Sequence, residues 1–412
     1  MTVADRPNIV LVHGHDIGRH IGAYGRQVDT PALDQLSRSG LRFDRFFCPA
    51  PQCSPSRASL TTGRYPHRTG MLGLAHMGWN LNDPTGALPH RLRALGYETY
   101  LFGEQHEAST GEVLGYDHSV GTRWPQLARV VAPEFAAQAG SMPRPFFASV
   151  GFFEAHRPFD HAGYTDDDPN AVEVPPYLPD TAEVRADIAA LNGRIRAVDE
   201  GVGVVVEALT KQGLREDTLL VFTTDHGLAL PRAKGTLYDA GLEVAFIASW
   251  PGVVPRGTVS DKLLCNIDVA PTLLELAGGT PSAEIDGRSF AGLLGGGSAG
   301  VRDEFMCEMT YHDRYAPMRG IRTESWKYIR RFSEEPTMYL PADVADSPSG
   351  RAALLVRATA PALEELYDLT VDPQELDNLI DRPAHTERAA ELRVRVDSWM
   401  EETDDPLLTG KP

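Results

Sequence analysis

Four short apolar runs in this chain each end in side chains able to move a proton or bind a metal. Asn8–Val12 leads into His13-Gly14-His15-Asp16, and Tyr97–Phe102 into Gly103-Glu104-Gln105-His106. Phe146–Phe152 leads to Glu154-Ala155-His156-Arg157, and Thr218–Thr223 to Asp225-His226-Gly227. Continuous apolar runs of this length suit strands buried on both faces, as in a parallel sheet. Ligands of open α/β sheets bind outside the carboxyl ends of the strands. Any one Asp or His there could simply cap the next helix. Four such ends point to one shared site. Between the strands, Ile188, Leu191, Ile195, Val198, Val202, Val205 and Leu209 recur at helical steps over Asp187–Lys211, an apolar stripe for packing on the sheet. Ala32–Ser39 and Val269–Leu276 read as further helices, and Val244–Ser249 as another strand. The expected fold is α/β, a mostly parallel sheet covered by helices on both faces.

The stretch Cys53-Ser54-Pro55-Ser56-Arg57-Ala58-Ser59-Leu60-Thr61-Thr62-Gly63 reads as a helix opened by the cysteine. Pro55 suits a first turn, and Gly63 a stop. A group at position 53 would meet free N–H groups and the positive end of the helix dipole, which favour an anion. Arg57, one turn on, can point back to the same spot. By position alone, Cys53 could equally be a small buried residue or an ordinary low-pKa thiol.

A chain of 412 residues is long enough for two domains. The net charge of −18 argues against a nucleic-acid or anionic-membrane binder. No apolar run is long enough to span a bilayer, and residues 1–7 carry no hydrophobic signal region, so a cytoplasmic location is expected. Cys48, Cys53, Cys265 and Cys307 show neither disulfide nor zinc spacing. The glycine-rich stretch Leu293–Gly300 reads as a flexible linker. It separates a catalytic domain, residues 1–294, from a smaller C-terminal α+β domain, residues 301–412, with strands near Phe305–Met309, Met318–Arg322 and Trp326–Arg331 and a last helix near Thr386–Glu401. Ser333–Pro361 reads as a surface insertion. Arg64, Tyr65, His67 and Arg68 form a basic, aromatic cluster that suits either a pocket lining or packing between loops; His76, Trp79 and Asn80 are equally open.

Within the strand-end set, Asp225 and His226 form a ligand pair of one oxygen and one nitrogen, with Asp16 and His15 as partners across the sheet.

Cys53, Pro55, Ser56, Arg57, Leu60, Thr61 and Gly63 together resemble the signature of the type I sulfatases. The resemblance extends to Pro7–Gly18, Thr224–Gly227, the lysine segment Lys234–Tyr238, and Asp368, Asp372-Pro373, Glu375 and Asn378-Leu379 near the C-terminus. Across Cys53–Leu74, Phe153–Arg157, Asp217–Gly227 and Trp399–Pro406 it is strongest to the heparan N-sulfatase (sulfoglucosamine sulfohydrolase) branch. It implies an alkaline-phosphatase/sulfatase-like fold and hydrolysis of a sulfate ester or sulfamate on a small sulfated sugar or aryl group. It also implies that a formylglycine-generating enzyme oxidises Cys53 to formylglycine, whose hydrate is the nucleophile. His15, Asp16, Asp225 and His226 would hold one divalent metal. Arg57 would hold the hydrate, Lys234 the sulfate, His156 would protonate the leaving group, and His106 would help expel sulfate.

Two positions depart from the family pattern. His15 stands where an aspartate is usual, and Glu104 where a lysine usually precedes the first catalytic histidine. Two imidazoles beside two aspartates suit Mn²⁺ or Zn²⁺; if His15 does not ligate, Ca²⁺ or Mg²⁺ returns to favour. Glu104 could orient His106 or act as a base. Asp225-His226 also resembles the phosphonate monoester hydrolases of the same superfamily, so phosphonate or phosphodiester hydrolysis is an alternative. An inactive binding homologue is a second.

Overall fold

The computed structural model describes residues 6–161, 163–334, 337–356 and 360–410. In chain order the strands are β1 (Asn8–Gly14), β2 (Leu41–Phe43), β3 (Phe46–Phe47), β4 (Glu98–Gly103), β5 (His118–Val120), β6 (Phe146–Phe152) and β7 (Thr218–Thr224). They continue with β8 (Phe246–Ser249), β9 (Thr258–Ser260), β10 (Leu264–Cys265), β11 (Glu304–Tyr311), β12 (Tyr315–Thr323), β13 (Trp326–Arg331) and β14 (Glu364–Asp368). The main sheet has the order β5-β4-β6-β1-β7-β8-β2-β9. Its neighbours pair in parallel, except that β8 runs antiparallel to both β7 and β2.

The central strands are buried on both faces, as the unbroken apolar runs require. Along β1, Ile9 and Leu11 belong to one hydrophobic cluster, Val10 and Val12 to the other. In β7, Leu219 and Val221 face the first cluster, Leu220 and Phe222 the second. The Val269–Leu276 helix packs on the first face, the Ala128–Gln138 and Ala182–Lys211 helices on the second. The last of these starts earlier than its apolar stripe suggests, because the Thr181 side chain caps it by accepting from the Val184 N–H.

Beyond residue 300 the architecture changes to an antiparallel sheet, β11-β12-β13-β14, with the Thr386–Glu402 helix against it. Leu293 and Leu294 are buried in the core, so the expected linker is solvent-exposed only from Gly295 to Gly300. The main and C-terminal sheets share one core cluster, in which Phe47, on the small two-stranded sheet β10-β3, stacks on Phe305 with centroids 5.3 Å apart. Among the described residues no helix is long and apolar enough to cross a membrane.

Ile195 is fully buried against the sheet and Glu207 on the same helix is exposed. Ile195→Ala should lower the unfolding free energy by about 2–5 kcal/mol, and Glu207→Ala should change it by no more than about 0.5 kcal/mol. Denaturant titration of both variants checks the assignment.

Candidate active site

The strands whose ends carry the polar groups, β4, β6, β1 and β7, are consecutive neighbours in the sheet. Their carboxyl ends therefore deliver Glu104, His156, His15, Asp16, Asp225 and His226 to one edge. His15, Asp16, Cys53, Asp225 and His226 each place a ligand atom within 4.8 Å of all the others, and all five are buried. His15 Nδ1 lies 2.9 Å from Asp16 Oδ1 and 3.3 Å from Asp225 Oδ2. His226 Nε2 lies 3.0 Å from Asp16 Oδ1 and 3.4 Å from Cys53 Sγ.

The surroundings orient these groups. The backbone N–H groups of Asp16 and His226 both donate to Asp225 Oδ1, each at 2.9 Å, leaving Oδ2 to face the site. Asp16 adopts a left-handed backbone, φ 55°, a conformation tolerated by Asp and enriched at functional sites. His226 Nδ1 donates to the Gly227 carbonyl at 3.0 Å, which turns Nε2 towards Asp16 and Cys53. Asp16, Asp225 and His226 therefore offer two carboxylates and one imidazole to a divalent cation, while His15 has both nitrogens against carboxylates, Asp16 and Asp225 on one side and Glu104 on the other.

Cys53 opens the Cys53–Thr62 helix as expected, and Gly63 ends it at φ 72° with its N–H on Ser59 O. Cys53 is only 1% exposed. Burial works against a thiolate there, yet His15, Lys234 and His226 hold its pKa well below the usual thiol value. The position is thus built to carry negative charge on the first atom of a nucleophile. Arg57, on the next turn, donates from Nε and Nη2 to Asp225 Oδ2 at 3.2 and 3.1 Å, and from Nη1 to His13 Nδ1 at 2.8 Å. Burial and the Arg57 charge push His13 down to about 3, so it is a neutral acceptor and not a further cation.

Lys234 is fully buried, with Nζ 2.9 Å from Asp16 Oδ2 and 2.8 Å from Asp343 Oδ2. His156 packs edge-on against His15, centroids 4.6 Å apart, and stacks on Phe153. His106 stacks on His76, and its Nε2 is 3.0 Å from His76 Nδ1. Glu104 is buried: Oε1 is 3.2 Å from His15 Nε2 and Oε2 is 3.6 Å from Arg57 Nη2. The two departures from the family pattern are therefore in contact with each other. Every predicted site residue, Cys53, Arg57, His106, His156, Lys234, His15, Asp16, Asp225 and His226, lies in this cluster or directly against it.

Sequence reasoning missed the contribution of the C-terminal half. Residues 333–361, read as a surface insertion, instead supply Asp343 to Lys234 and Ser349 to Arg157 and Asp187; positions 335–336 and 357–359 lie outside the described residues. The physical reason is that these partners are distant in sequence and leave no local periodicity. At the β11–β12 turn, His312 Nδ1 lies 3.1 Å from Asp313 Oδ1, which also accepts from the Tyr339 hydroxyl at 2.9 Å. His312 faces the Cys53 thiol, and hydrogen bonding to Asp313 raises its pKa against the effect of burial. The Arg64–Arg68 cluster is packing and not pocket: His67 bonds Glu308, Tyr65 packs on Trp399 and Arg68 pairs with Asp286. Trp79 packs on Tyr311.

Fold and site together are those of a hydrolytic enzyme working at the carboxyl edge of a helix-covered α/β sheet. The family pattern described as "Sulfatase" matches residues 7–279, and the chain belongs to the sulfatase family. A second pattern, "N-sulphoglucosamine sulphohydrolase, C-terminal", matches residues 231–359. An ulvan-active sulfatase of Formosa agariphila is 30% identical over 98% of this chain and 82% of its own length. Human N-sulphoglucosamine sulphohydrolase is 29% identical over 97% of this chain and 91% of its own. A solved structure in complex with its substrate D-glucosamine-2-N,6-O-disulfate shares the fold, with a TM-score of 0.75 at 17% identity, covering 97% of this chain and 98% of that one.

Two predictions follow from the buried charges. Arg57→Ala strands the Asp225 carboxylate in the interior, and should cost about 3–5 kcal/mol of stability in denaturant melts of the metal-free protein. Glu154, whose Oε1 accepts from the Ala128 N–H and the Tyr164 hydroxyl, is pushed by burial up to about 7. Because its folded pKa lies above the unfolded value, its stabilising effect is full below the unfolded pKa and is lost as pH rises through about 7. Glu154→Gln should therefore flatten the stability–pH profile between about pH 4.5 and 7 and raise stability above it by about 3 kcal/mol.

Proposed function

We propose that this chain hydrolyses sulfate esters or sulfamates on small sulfated sugars or aryl groups, using a formylglycine hydrate at position 53 and a divalent metal held by Asp16, Asp225 and His226. The observation that carries this reading is Cys53 at the head of its helix, with Sγ 3.4 Å from His226 Nε2 and inside the Asp16–Asp225 cluster. Membership of the sulfatase family and the names of the relatives support the substrate class.

The structure contains the cysteine precursor, whose Sγ stands in for the hydrate oxygens. When present, the hydrate supplies an oxygen nucleophile for the sulfuryl group, and the metal supplies a Lewis acid that lowers its pKa. The chain's own residues do the rest. Lys234, held between Asp16 and Asp343, is placed to neutralise a sulfuryl oxygen. His156, fixed against His15 and Phe153, is the donor for the leaving oxygen or nitrogen. His106, on the Cys53 side of the cluster, is the acceptor for the hydroxyl proton that must leave when sulfate is expelled. Arg57 holds the Asp225 carboxylate in place.

A leaving amine needs protonation more than a phenol does. His156→Asn should lower turnover of N-sulfoglucosamine by about 10²–10⁴-fold and affect p-nitrophenyl sulfate much less; equal losses would remove His156 from that role. Mass spectrometry of the peptide spanning Cys53, from protein co-expressed with a competent modifying enzyme, should show the aldehyde, and an unmodified thiol would sink the mechanism. The Asp225-His226 pair also supports a second reading, hydrolysis of phosphonate monoesters. Faster turnover of phenylphosphonate monoesters than of both sulfated substrates would favour it.

A further inference from the structure

The turn between β11 and β12 brings a further imidazole to position 53. It is tied to the segment around the cysteine. Gln52, fully buried, donates from Nε2 to the Tyr311 carbonyl at 2.6 Å, and the Tyr311 N–H donates to the Leu72 carbonyl at 3.0 Å. His312 follows, with its backbone N–H on the Arg314 carbonyl at 3.2 Å. Its Nδ1 lies 3.1 Å from Asp313 Oδ1, an oxygen that also accepts from the Tyr339 hydroxyl at 2.9 Å. That leaves the Nε2 side of the ring for Cys53. We propose that His312 is a further catalytic residue of this site, an anion contact whose Nε2–H donates to a sulfuryl oxygen beside position 53, with Asp313 and Tyr339 as its positioning residues.

Three observations carry this. First, the ring is only 7% exposed, and its Nε2 is buried without a hydrogen-bond partner. A buried imidazole with one nitrogen engaged and the other unmatched indicates a partner that arrives from outside the chain. Second, the surroundings make that nitrogen a donor. Burial works against a charged ring, yet the hydrogen bonds to Asp313 and towards Cys53 raise the His312 pKa. Position 53 favours negative charge, so the ring facing it has an anion to donate to. The carboxylate on Nδ1 fixes the orientation of the ring, and the Tyr339 hydroxyl fixes the carboxylate.

Third, the other cations here are more fully cancelled. Arg57 faces Asp225 and Glu104, and Lys234 faces Asp16 and Asp343. His312 faces Asp313 alone, and Tyr339 shares that carboxylate. A sulfuryl group beside position 53 therefore meets in His312 a positive group with one nitrogen uncommitted, the kind of preorganised donor that stabilises developing charge.

The identity of the anion rests on the sulfatase reading, whereas the placement of the ring does not. The test is equilibrium binding of inorganic sulfate to the metal-loaded enzyme, followed by calorimetry across pH, and needs no turnover. His312→Gln should weaken sulfate binding by about 10–100-fold at acid pH. In wild type the affinity should fall as pH rises through the pKa of His312. The groups facing the ring besides position 53 are Asp313, Tyr339, Lys234, Asp343 and His76. Against burial, His312 and Tyr339 hold Asp313 down to about 2, Lys234 holds Asp343 down, and Asp16 and Asp343 hold Lys234 up; burial pushes Tyr339 up and His76 down. Only His76 therefore shares the range, and the inflection lost in His312→Gln isolates His312. Asp313→Asn keeps the ring but not its charge partner. It should bind sulfate at acid pH and move the inflection to lower pH, which a purely structural turn would not do.

Melting curves show whether the variants are folded, and Asp313→Asn decides the matter where His312→Gln is not. Unchanged sulfate affinity in His312→Gln overturns the proposal, as does an inflection that stays in place in both variants. Sulfate binding that depends on His312 in a protein without sulfatase activity would overturn the proposed function and leave this contact standing. An active sulfatase indifferent to His312 would do the reverse.

Discussion

The Asp225 carboxylate joins three parts of the molecule that are far apart in sequence. Oδ1 accepts the backbone N–H of Asp16, at the end of β1, and of His226, at the end of β7. Oδ2 receives Arg57 from the Cys53–Thr62 helix, and the Asp225 carbonyl accepts the Ser56 hydroxyl of that same helix. A buried carboxylate is expensive unless every lone pair is engaged. Here each is, so the nucleophile's helix cannot shift along the sheet edge without stranding a charge. The position of Cys53 over the strand ends follows from this one side chain.

The same logic extends outward. Lys234 is fully buried, which is tolerable only because Asp16 and Asp343 both reach its ammonium. Asp16 belongs to the parallel sheet and Asp343 to the segment before β14. The lysine thus fastens the C-terminal half to the site by charge, while Phe47 on Phe305 and Tyr65 on Trp399 fasten it by apolar contact. The two halves carry different sheets but do not have separate cores.

What could be read from the sequence was whatever has a local signature. β6 has the expected limits, and β1, β4 and β7 differ from theirs by one or two residues, because double-sided burial forces unbroken apolar runs; β13 also has its expected limits. The Cys53 helix was legible from Pro55 and Gly63. β5 and β9 are three-residue edge strands with almost no apolar signal, and β14, Glu-Glu-Leu-Tyr-Asp, has three buried residues, of which only Leu366 and Tyr367 are apolar. Asp343 and His312 were invisible because their partners, Lys234 and Cys53, are remote in sequence. His15 and Glu104 appeared as two separate anomalies; only the fold shows that they touch.

That contact changes how the anomalies should be weighed. An imidazole in place of a carboxylate removes a negative charge, and a carboxylate in place of an ammonium adds one and removes a positive. Taken singly, each would unbalance a buried site by an amount comparable with the whole stability of a domain. Placed 3.2 Å apart, they exchange the signs of a facing pair: burial opposes charge on both, yet Asp225 and Glu104 hold His15 well above its ordinary pKa, while His15 and Arg57 hold Glu104 down to about 2. The pair is therefore one feature, not two defects.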